Sequence, residues 1–407
     1  MFDRWLTHQV RRRVEASGLP LAVEFWDGRL VGQDPAAVRI RLRRPTSLKA
    51  MAEPSLGALA RAYVEGHLDL DGDARDILAL GERLCRAGAC KPRPRGGAWK
   101  WWRHTRAGDC RNIQYHYDVS NDFYGLWLDT RRVYSCAYFR TPETSLDAAQ
   151  EAKLDHICRK LDLKPGERFL DIGCGWGGLV LHAAERYGVH AVGITLSDDQ
   201  HAFASRLVAE RGLAGRVEVR RMDYRDVPER EGYDKIASVG MFEHVGHVNL
   251  GSYFACLAEL LKPGGLVLNH GITTAVPGSG GLGSGIAEFV DDYVFPGGEL
   301  VHVSDVLRAA AANGLECLDA ENLRPHYGRT LWHWVGRLEA HADAARKLIG
   351  EQKYRVWRIY MAGSAHAFER GWLELWQVLA GKGVDGMQPN YPFTRDYIYS
   401  GGAGRSM

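Results

Sequence analysis

From residue 145 onward the apolar positions follow two alternating regimes: stretches in which they recur every three to four residues, and short continuous apolar runs. The first regime marks amphipathic helices and the second marks buried strands; their alternation is the signature of a parallel sheet with crossover helices. Leu154, Ile157, Cys158 and Leu161 predict a helix over 146–161, and strands are expected at 168–172, 191–194, 217–220, 235–239 and 266–269. Between them the pattern places helices over 177–186, stopped by Gly188, and over 250–261. Another helix opens at Ser197-Asp198-Asp199-Gln200, a capping box in which the serine and the glutamine satisfy each other's free amides. Five strands in this order predict an open α/β sheet.

The flanks differ in pattern. Strand-like runs at 21–25 and 37–42 and a helical stretch at 55–66 predict a small α+β unit with its own core. Residues 87–111 combine Pro92, Pro94, Gly96 and Gly97 with many cations and the run Trp99-Lys100-Trp101-Trp102. That is linker composition, with indoles suited either to a lipid headgroup interface or to docking back on the larger domain. Five glycines over 277–285 predict a surface loop, and a helix opens at Ser304 and stops at Asn313-Gly314. The stretch 329–381 reads as helical, with Trp332, Trp334, Trp357, Tyr360, Phe368, Trp372 and Trp376 mostly in its core. The expected division is 1–90, a linker over 91–112, and a large domain over 113–407.

Composition narrows the class. With 407 residues, 45% hydrophobic and 25% charged, the chain is an ordinary globular protein too long for one core. The net charge of +2 conceals an asymmetry, because residues 1–111 hold 21 Lys and Arg against 13 Asp and Glu. A basic front suits nucleic acid, an anionic membrane or an acidic substrate. The eight cysteines (Cys85, Cys90, Cys110, Cys136, Cys158, Cys174, Cys256 and Cys317) show no CxxC pair and read as reduced thiols of a cytoplasmic protein. No apolar run approaches the roughly 18 residues of a membrane span, and the arginines at 11–13 lack the apolar stretch of a signal peptide.

Chemistry concentrates at Asp171-Ile172-Gly173-Cys174-Gly175-Trp176-Gly177-Gly178, between a predicted strand and helix. Glycines there let a ligand approach the backbone, and the free amides of a helix start favour anionic groups. Gly173, Gly175 and Gly178 formally satisfy the dinucleotide fingerprint, but no carboxylate follows in Gly193-Ile194-Thr195-Leu196-Ser197, where NAD would need one for its ribose. Asp171, two residues before the first glycine, instead resembles the first motif of S-adenosylmethionine (SAM) methyltransferases. Asp223 in Met222-Asp223-Tyr224 falls where such enzymes set an acid against the adenine amino group.

A more specific likeness runs through most of the chain. Gln114-Tyr115-His116-Tyr117-Asp118, Tyr134-Ser135-Cys136-Ala137-Tyr138, the glycine loop, Gly240-Met241-Phe242-Glu243-His244-Val245-Gly246 and Arg324-Pro325-His326-Tyr327-Gly328-Arg329-Thr330-Leu331 resemble the cyclopropane-fatty-acyl-phospholipid synthase family. Ala62-Tyr63-Val64-Glu65-Gly66 through Asp73 resembles the N-terminal domain of its bacterial members. The resemblance implies a Rossmann-like SAM-methyltransferase sheet with a helical cap, behind a small α+β domain that docks on lipid. It implies methylenation of the cis double bond of unsaturated acyl chains in membrane phospholipids, releasing S-adenosylhomocysteine, with bound bicarbonate as general base. Its bicarbonate ligands carry over to Cys136, Glu243, His270, the backbone of Ile272, and Tyr327. Its SAM contacts carry over to Tyr134, Ser135, Asp171, Gly173, Gly175, Thr195, Leu196, Ser197, Gln200, Met222 and Asp223. One departure is Asp292, where the family pattern leads one to expect a basic residue just before Tyr293.

The chemistry suits these residues. An alkene is a feeble nucleophile, so a sulfonium methyl must drive the reaction, and ring closure needs a base beside a cation in an apolar tunnel. Glu243 and His270 fall at the carboxyl ends of the fourth and fifth predicted strands of the sheet, the edge where open sheets bind ligands. Cys136 is expected to offer an amide or weak thiol contact, because methyl transfer needs no thiolate. Glu243, His244, His247 and His270 lack a convincing second carboxylate, so no metal is expected and His244 and His247 read as packing. Tyr117, Phe123, Tyr138 and Phe139 are candidates for the acyl tunnel or for ordinary core. Nucleic acid drops out for want of a motif, a homodimer is left open, and the expected location is cytoplasmic, peripheral to the inner membrane face. The rivals are the same site stopping at a methyl or methylene branch, and a SAM- or lipid-binding protein without catalysis, which would have no need of a base.

Overall fold

The computed structural model describes residues 2–52, 54–86, 119–278, 285–295, 298–385, 387, 389 and 391–399, with the side chains of residues 2–4 left out. The tryptophan-bearing linker, Tyr117 with its motif, and most of the glycine-rich loop lie outside the described residues. By compactness the chain forms two units that are not sequential. One comprises residues 1–100, 280–296 and 331–370, and the other 101–279, 297–330 and 371–407.

The first unit contains a four-stranded sheet in the order β2-β1-β3-β4. Its strands are β1 (Leu21–Glu24), β2 (Leu30–Gly32), β3 (Val38–Leu42) and β4 (Leu68–Asp71). Alternation in β3 buries Val38, Ile40 and Leu42 while Arg39 and Arg41 face outward. There Arg41 pairs with Asp71 at 2.9 Å and with Glu24 at 3.3 Å, so part of the basic front is neutralised locally. The Ile286–Tyr293 helix joins this unit through Arg61, which pairs with Asp292 at 2.7 Å, and through the Tyr293 hydroxyl, which donates to Glu65 at 3.0 Å. In the Ala342–Glu369 helix, Arg355 pairs with Asp69 at 2.7 Å and Arg358 donates to the Tyr63 hydroxyl at 3.2 Å.

The second unit is built on a seven-stranded sheet in the order β10-β11-β9-β8-β5-β6-β7. Its strands are β5 (Arg168–Ile172), β6 (His190–Thr195), β7 (Val217–Arg221), β8 (Tyr233–Val239), β9 (Leu261–Thr274), β10 (Leu315–Asn322) and β11 (Leu373–Lys382). β5 to β9 pair in parallel, and β11 runs antiparallel to both its neighbours. The five expected strands all form, and β10 and β11 extend the sheet. Residues 373–381 were expected to be helical; they are strand instead, because their apolar positions fill the gap between β9 and β10 and are buried on both faces. The apolar residues of consecutive strand positions separate onto two faces: Leu170, Ile172 and Val267 meet the Leu250–Leu260 and Val303–Ala312 helices. Phe169, Leu266, Leu268 and Leu379 meet the Leu146–Lys160 and Gly178–Tyr187 helices on the other face. The chain leaves β5 for β6 on one side and returns to β8 on the other, which makes the carboxyl end of β5 the switch point where such sheets bind ligands.

Candidate active site

At that switch point the chain turns through Gly173, Gly175 and Gly177, with φ of 80°, 54° and 86°. Side chains rarely tolerate this left-handed region, which explains three glycines in five positions. The Gly173 and Cys174 amides donate to the Ile194 carbonyl at 3.0 and 2.9 Å, pinning the turn to β6. A Cβ at Gly173 would lie 3.2 Å from Met241, whereas one at Gly175 would meet nothing within 4 Å. The Trp176 indole donates to Asn121 at 2.6 Å and packs on Tyr124, which in turn packs on Tyr134.

The turn lines a cleft that is open to solvent. Tyr134, Ser135, Asp171, Gly173, Gly175, Thr195, Leu196, Gln200, Met222 and Asp223, all expected at the SAM site, line it together. Ser197 is not in the lining; its hydroxyl caps the Asp198–Glu210 helix by accepting from the Gln200 amide at 3.3 Å. The Thr195 hydroxyl donates to the Gln200 side chain at 2.8 Å and fixes it. Asp223 is already engaged, accepting from the Arg225 amide at 2.9 Å and from its guanidinium at 2.8 and 2.6 Å.

Lys153 was missed from sequence. It is buried, lines the same cleft, and donates to the Ser135 hydroxyl at 2.8 Å. Burial lowers its pKa to about 8, against the pull of Asp129, Cys136 and Asp171. Asp171 is raised to about 7 by burial, which Lys153 partly offsets, and its Oδ1 has no protein partner. From the same helix the Gln150 amide donates to the Val133 and Ser135 carbonyls at 3.1 and 2.8 Å, holding the Tyr134-Ser135 segment in place. The available signal was a lysine on the apolar stripe of a helix.

The expected base site lies where β8 ends. The last ladder pair is Val239 with His270, and the Gly240 amide still reaches the His270 carbonyl at 2.8 Å. One repeat further along β9, past the last β8 pair, the Ile272 amide donates to Glu243 Oε1 at 2.8 Å. Glu243 Oε2 is shut off from water without a partner, and burial raises the carboxyl to about 7. Gly271, another residue missed, makes this possible: a Cβ there would fall 1.9 Å from the Phe242 ring and 3.1 Å from Glu243 Oε1. His270 is buried, its Nδ1 3.1 Å from the Gln377 amide nitrogen and its Nε2 without a partner. Burial, then Lys153, Lys160 and His156, holds its pKa well below 6.5.

Cys136 is fully buried, its Sγ 3.2 Å from the Ala137 carbonyl and 3.9 Å from that of Leu323. Burial pushes the thiol up, so it stays protonated at neutral pH. The Tyr327 amide also donates to the Leu323 carbonyl, at 3.2 Å, and the Leu323 amide bonds Leu375, which sits opposite Ile272. The cysteine and tyrosine segments thus join the strand pair that carries Ile272. Of the tunnel candidates, Phe123 is buried in an aromatic cluster with Tyr124 and Trp127, and Phe139 is buried. Tyr138 stacks between His156 and His326, at 4.3 and 4.8 Å. His244 lines the same cleft as the glycine turn, and His247 is exposed rather than packed.

A parallel sheet with one reversed strand and a glycine turn at its switch point defines a Rossmann-like methyltransferase domain. Residues 104–378 match the family model described as mycolic acid cyclopropane synthetase, and residues 13–83 match a domain of unknown function, DUF7884. The chain belongs to this cyclopropane synthetase family of SAM-dependent lipid methyltransferases. It is 42% identical over 397 residues to a probable fatty acid methyltransferase of Pseudomonas putida, covering 96% of this chain and 99% of the relative. The cyclopropane-fatty-acyl-phospholipid synthase of Escherichia coli strain K12 is 38% identical over 270 residues, covering 66% of this chain and 67% of the synthase. The crystal structure of the mycolic acid cyclopropane synthase CmaA1 complexed with SAH and CTAB superposes with a TM-score of 0.64 at 36% identity, covering 67% of this chain and 98% of that one.

Proposed function

We propose that this protein methylenates the cis double bond of unsaturated acyl chains in membrane phospholipids, closing a cyclopropane ring, with bicarbonate as the base. The supporting observation is two buried polar atoms without protein partners, Glu243 Oε2 and His270 Nε2, on residues that follow β8 and lie in β9; neither residue lines the cleft, but Val239, Gly240, Met241 and His244 next to them in the chain or ladder do. A buried polar atom left unpaired costs about 1–3 kcal/mol, so such a pair favours a small ligand that both donates and accepts. Bicarbonate fits those two atoms, with one hydroxyl for the carboxylate and an oxygen for the ring N–H, and the family resemblance adds the Tyr327 phenol as a further contact. When bound, it supplies the base that takes the proton leaving the added methyl, and SAM supplies the electrophilic carbon. The residues of the chain do the rest: the glycine turn, Thr195 and Gln200 orient the cofactor, and the Ile272 amide aims the Glu243 carboxylate. The thiol of Cys136, protonated and enclosed, serves as a contact and not as a nucleophile. The protein would work at the inner membrane face; among the described residues no helix is long and apolar enough to cross a membrane.

Incubation with labelled SAM and vesicles of cis-unsaturated phospholipid tests the proposal. A gain of about one CH₂ with cyclopropyl proton resonances supports it, and a methyl or methylene branch replaces it with the second reading. That reading is favoured by the name of the Pseudomonas putida relative, a fatty acid methyltransferase. No transfer to lipid would leave a binding protein.

A further inference from the structure

β10, β11 and β9 set three polar side chains in a row on one face of the sheet. Glu321 lies opposite Gln377, and Gln377 lies opposite His270. Gln377 and His270 are fully buried, and Glu321 is held at the far end by His156 at 2.7 Å and Lys160 at 2.6 Å. Burial, with Lys153 and Lys160 adding to it and Glu321 opposing, holds the His270 pKa well below 6.5 and so favours the neutral ring. A neutral imidazole has one N–H and one bare nitrogen, and the partner of one nitrogen decides the state of the other. For Nδ1 that partner is the Gln377 amide nitrogen, at 3.1 Å. With the amide in this orientation its N–H donates to Nδ1, which leaves the proton of the ring on Nε2 and the Gln377 Oε1 buried without a partner.

We propose that Gln377 is a positioning residue: by donating to Nδ1 of His270 it holds the ring in the tautomer that presents Nε2–H as a free donor. The inference rests on the reading that an oxyanion sits beside Glu243, and it explains how two groups can share that anion. Glu243 Oε2 accepts and His270 Nε2–H donates, matching a hydroxyl and a bare oxygen of one ligand. In the other tautomer a bare ring nitrogen and a carboxylate would both face the anion, and repulsion would empty the site.

The test is nitrogen NMR of the full chain labelled at histidine and glutamine side chains, with His270 assigned by a His270→Asn variant. The expected spectrum at neutral pH shows a protonated Nε2, a bare Nδ1, and a scalar coupling across the hydrogen bond between the Gln377 amide nitrogen and Nδ1. A protonated Nδ1, with or without a protonated Nε2, overturns the assignment. Gln377→Met, which fills similar space without a donor, is expected to lower kcat about 10- to 100-fold with unchanged SAM affinity, the order known for losing the partner that orients a metal-bound histidine. Full turnover in that variant removes the positioning role, and if it does not fold the wild-type spectrum decides. A wild type with the expected tautomer but no methyl transfer to lipid would sink the proposed function and leave the role of Gln377 standing.

Discussion

Glu243 Oε1 takes the place of a missing strand, accepting from the Ile272 amide at 2.8 Å just beyond the end of β8. One oxygen is therefore structural, and the other, Oε2, is buried without a protein partner, the atom the proposed function assigns to the bound base. Glu243→Gln keeps the volume but can turn a donor toward the site, and it is expected to cut product formation at least about 100-fold. Calorimetry should find SAM binding unchanged in this variant. Normal turnover would rule out an acceptor role for Oε2.

The same carboxyl carries a stability cost with a definite pH window. Its folded pKa, raised from 4.5 to about 7, means the folded protein holds a proton that the unfolded chain has released, so stability falls as pH rises from about 4.5 through about 7. Glu243→Gln removes this cost. The variant should melt above the wild type at pH 8, by an amount on the order of 3 kcal/mol, with the gain shrinking below about 1 kcal/mol at pH 5. Equal gains at both pH values would mean the carboxyl does not titrate in this window.

Lys153 donates to Ser135 in the cleft wall and offsets part of the rise that burial causes in the Asp171 pKa. Lys153→Met keeps the apolar stem, removes the charge, and should drive Asp171 further toward its neutral form. A hydrogen bond to a charged group contributes about 1.5–3 kcal/mol, so SAM affinity should fall roughly 10- to 100-fold while the protein stays folded. Titration calorimetry reads this directly, and unchanged affinity would make the lysine a packing residue only.

Gly271 admits no side chain, since a Cβ would strike the Phe242 ring at 1.9 Å. Gly271→Ala should displace the Phe242-Glu243 turn, cost about 1–3 kcal/mol in a melt as overpacked sites do, and lose turnover while SAM still binds.

How much of this was legible depends on whether the signal was local. Strands β5 to β9 and the glycine turn announce themselves through continuous apolar runs and backbone needs that only glycine meets. Ten of the expected SAM residues meet in one cleft because motif positions at successive strand ends are gathered by the parallel sheet itself. β11 was hidden because Leu373-Glu374-Leu375-Trp376-Gln377 is equally good helix sequence, and only the space between β9 and β10 decides it. Gln377 was invisible for a related reason, since its partner His270 lies 107 residues away, whereas Lys153 showed only as a lysine on an apolar helix stripe. Asp292, where the sequence reading expects a basic residue, pairs with Arg61 at 2.7 Å in the first unit.

That pair makes a modest prediction. Both side chains are close to half exposed, 41% and 48%, so the bridge should contribute no more than about 1 kcal/mol. Asp292→Arg should destabilise the protein by that order, and the added Arg61→Asp change should recover it in a thermal melt. Lack of recovery would show that Tyr293 and Glu65, and not the ion pair, hold the helix.

The last prediction concerns the membrane, which the proposed substrate requires the protein to meet. The first unit carries an indole, Trp5, that is 56% exposed on a helix containing Arg11, Arg12 and Arg13. Trp26 is exposed in the same unit. Indoles gain at a headgroup interface, and arginines nearby gain about 1 kcal/mol each from an anionic surface, an attraction that salt screens. The full chain should therefore sediment with anionic vesicles at low salt and release as salt rises. Trp5→Ala should weaken the salt-resistant part of binding, whereas Arg12→Gln should weaken the salt-sensitive part. Binding indifferent to lipid charge, salt and both substitutions would move the docking surface elsewhere, with the tryptophans at 99, 101 and 102 the next to replace.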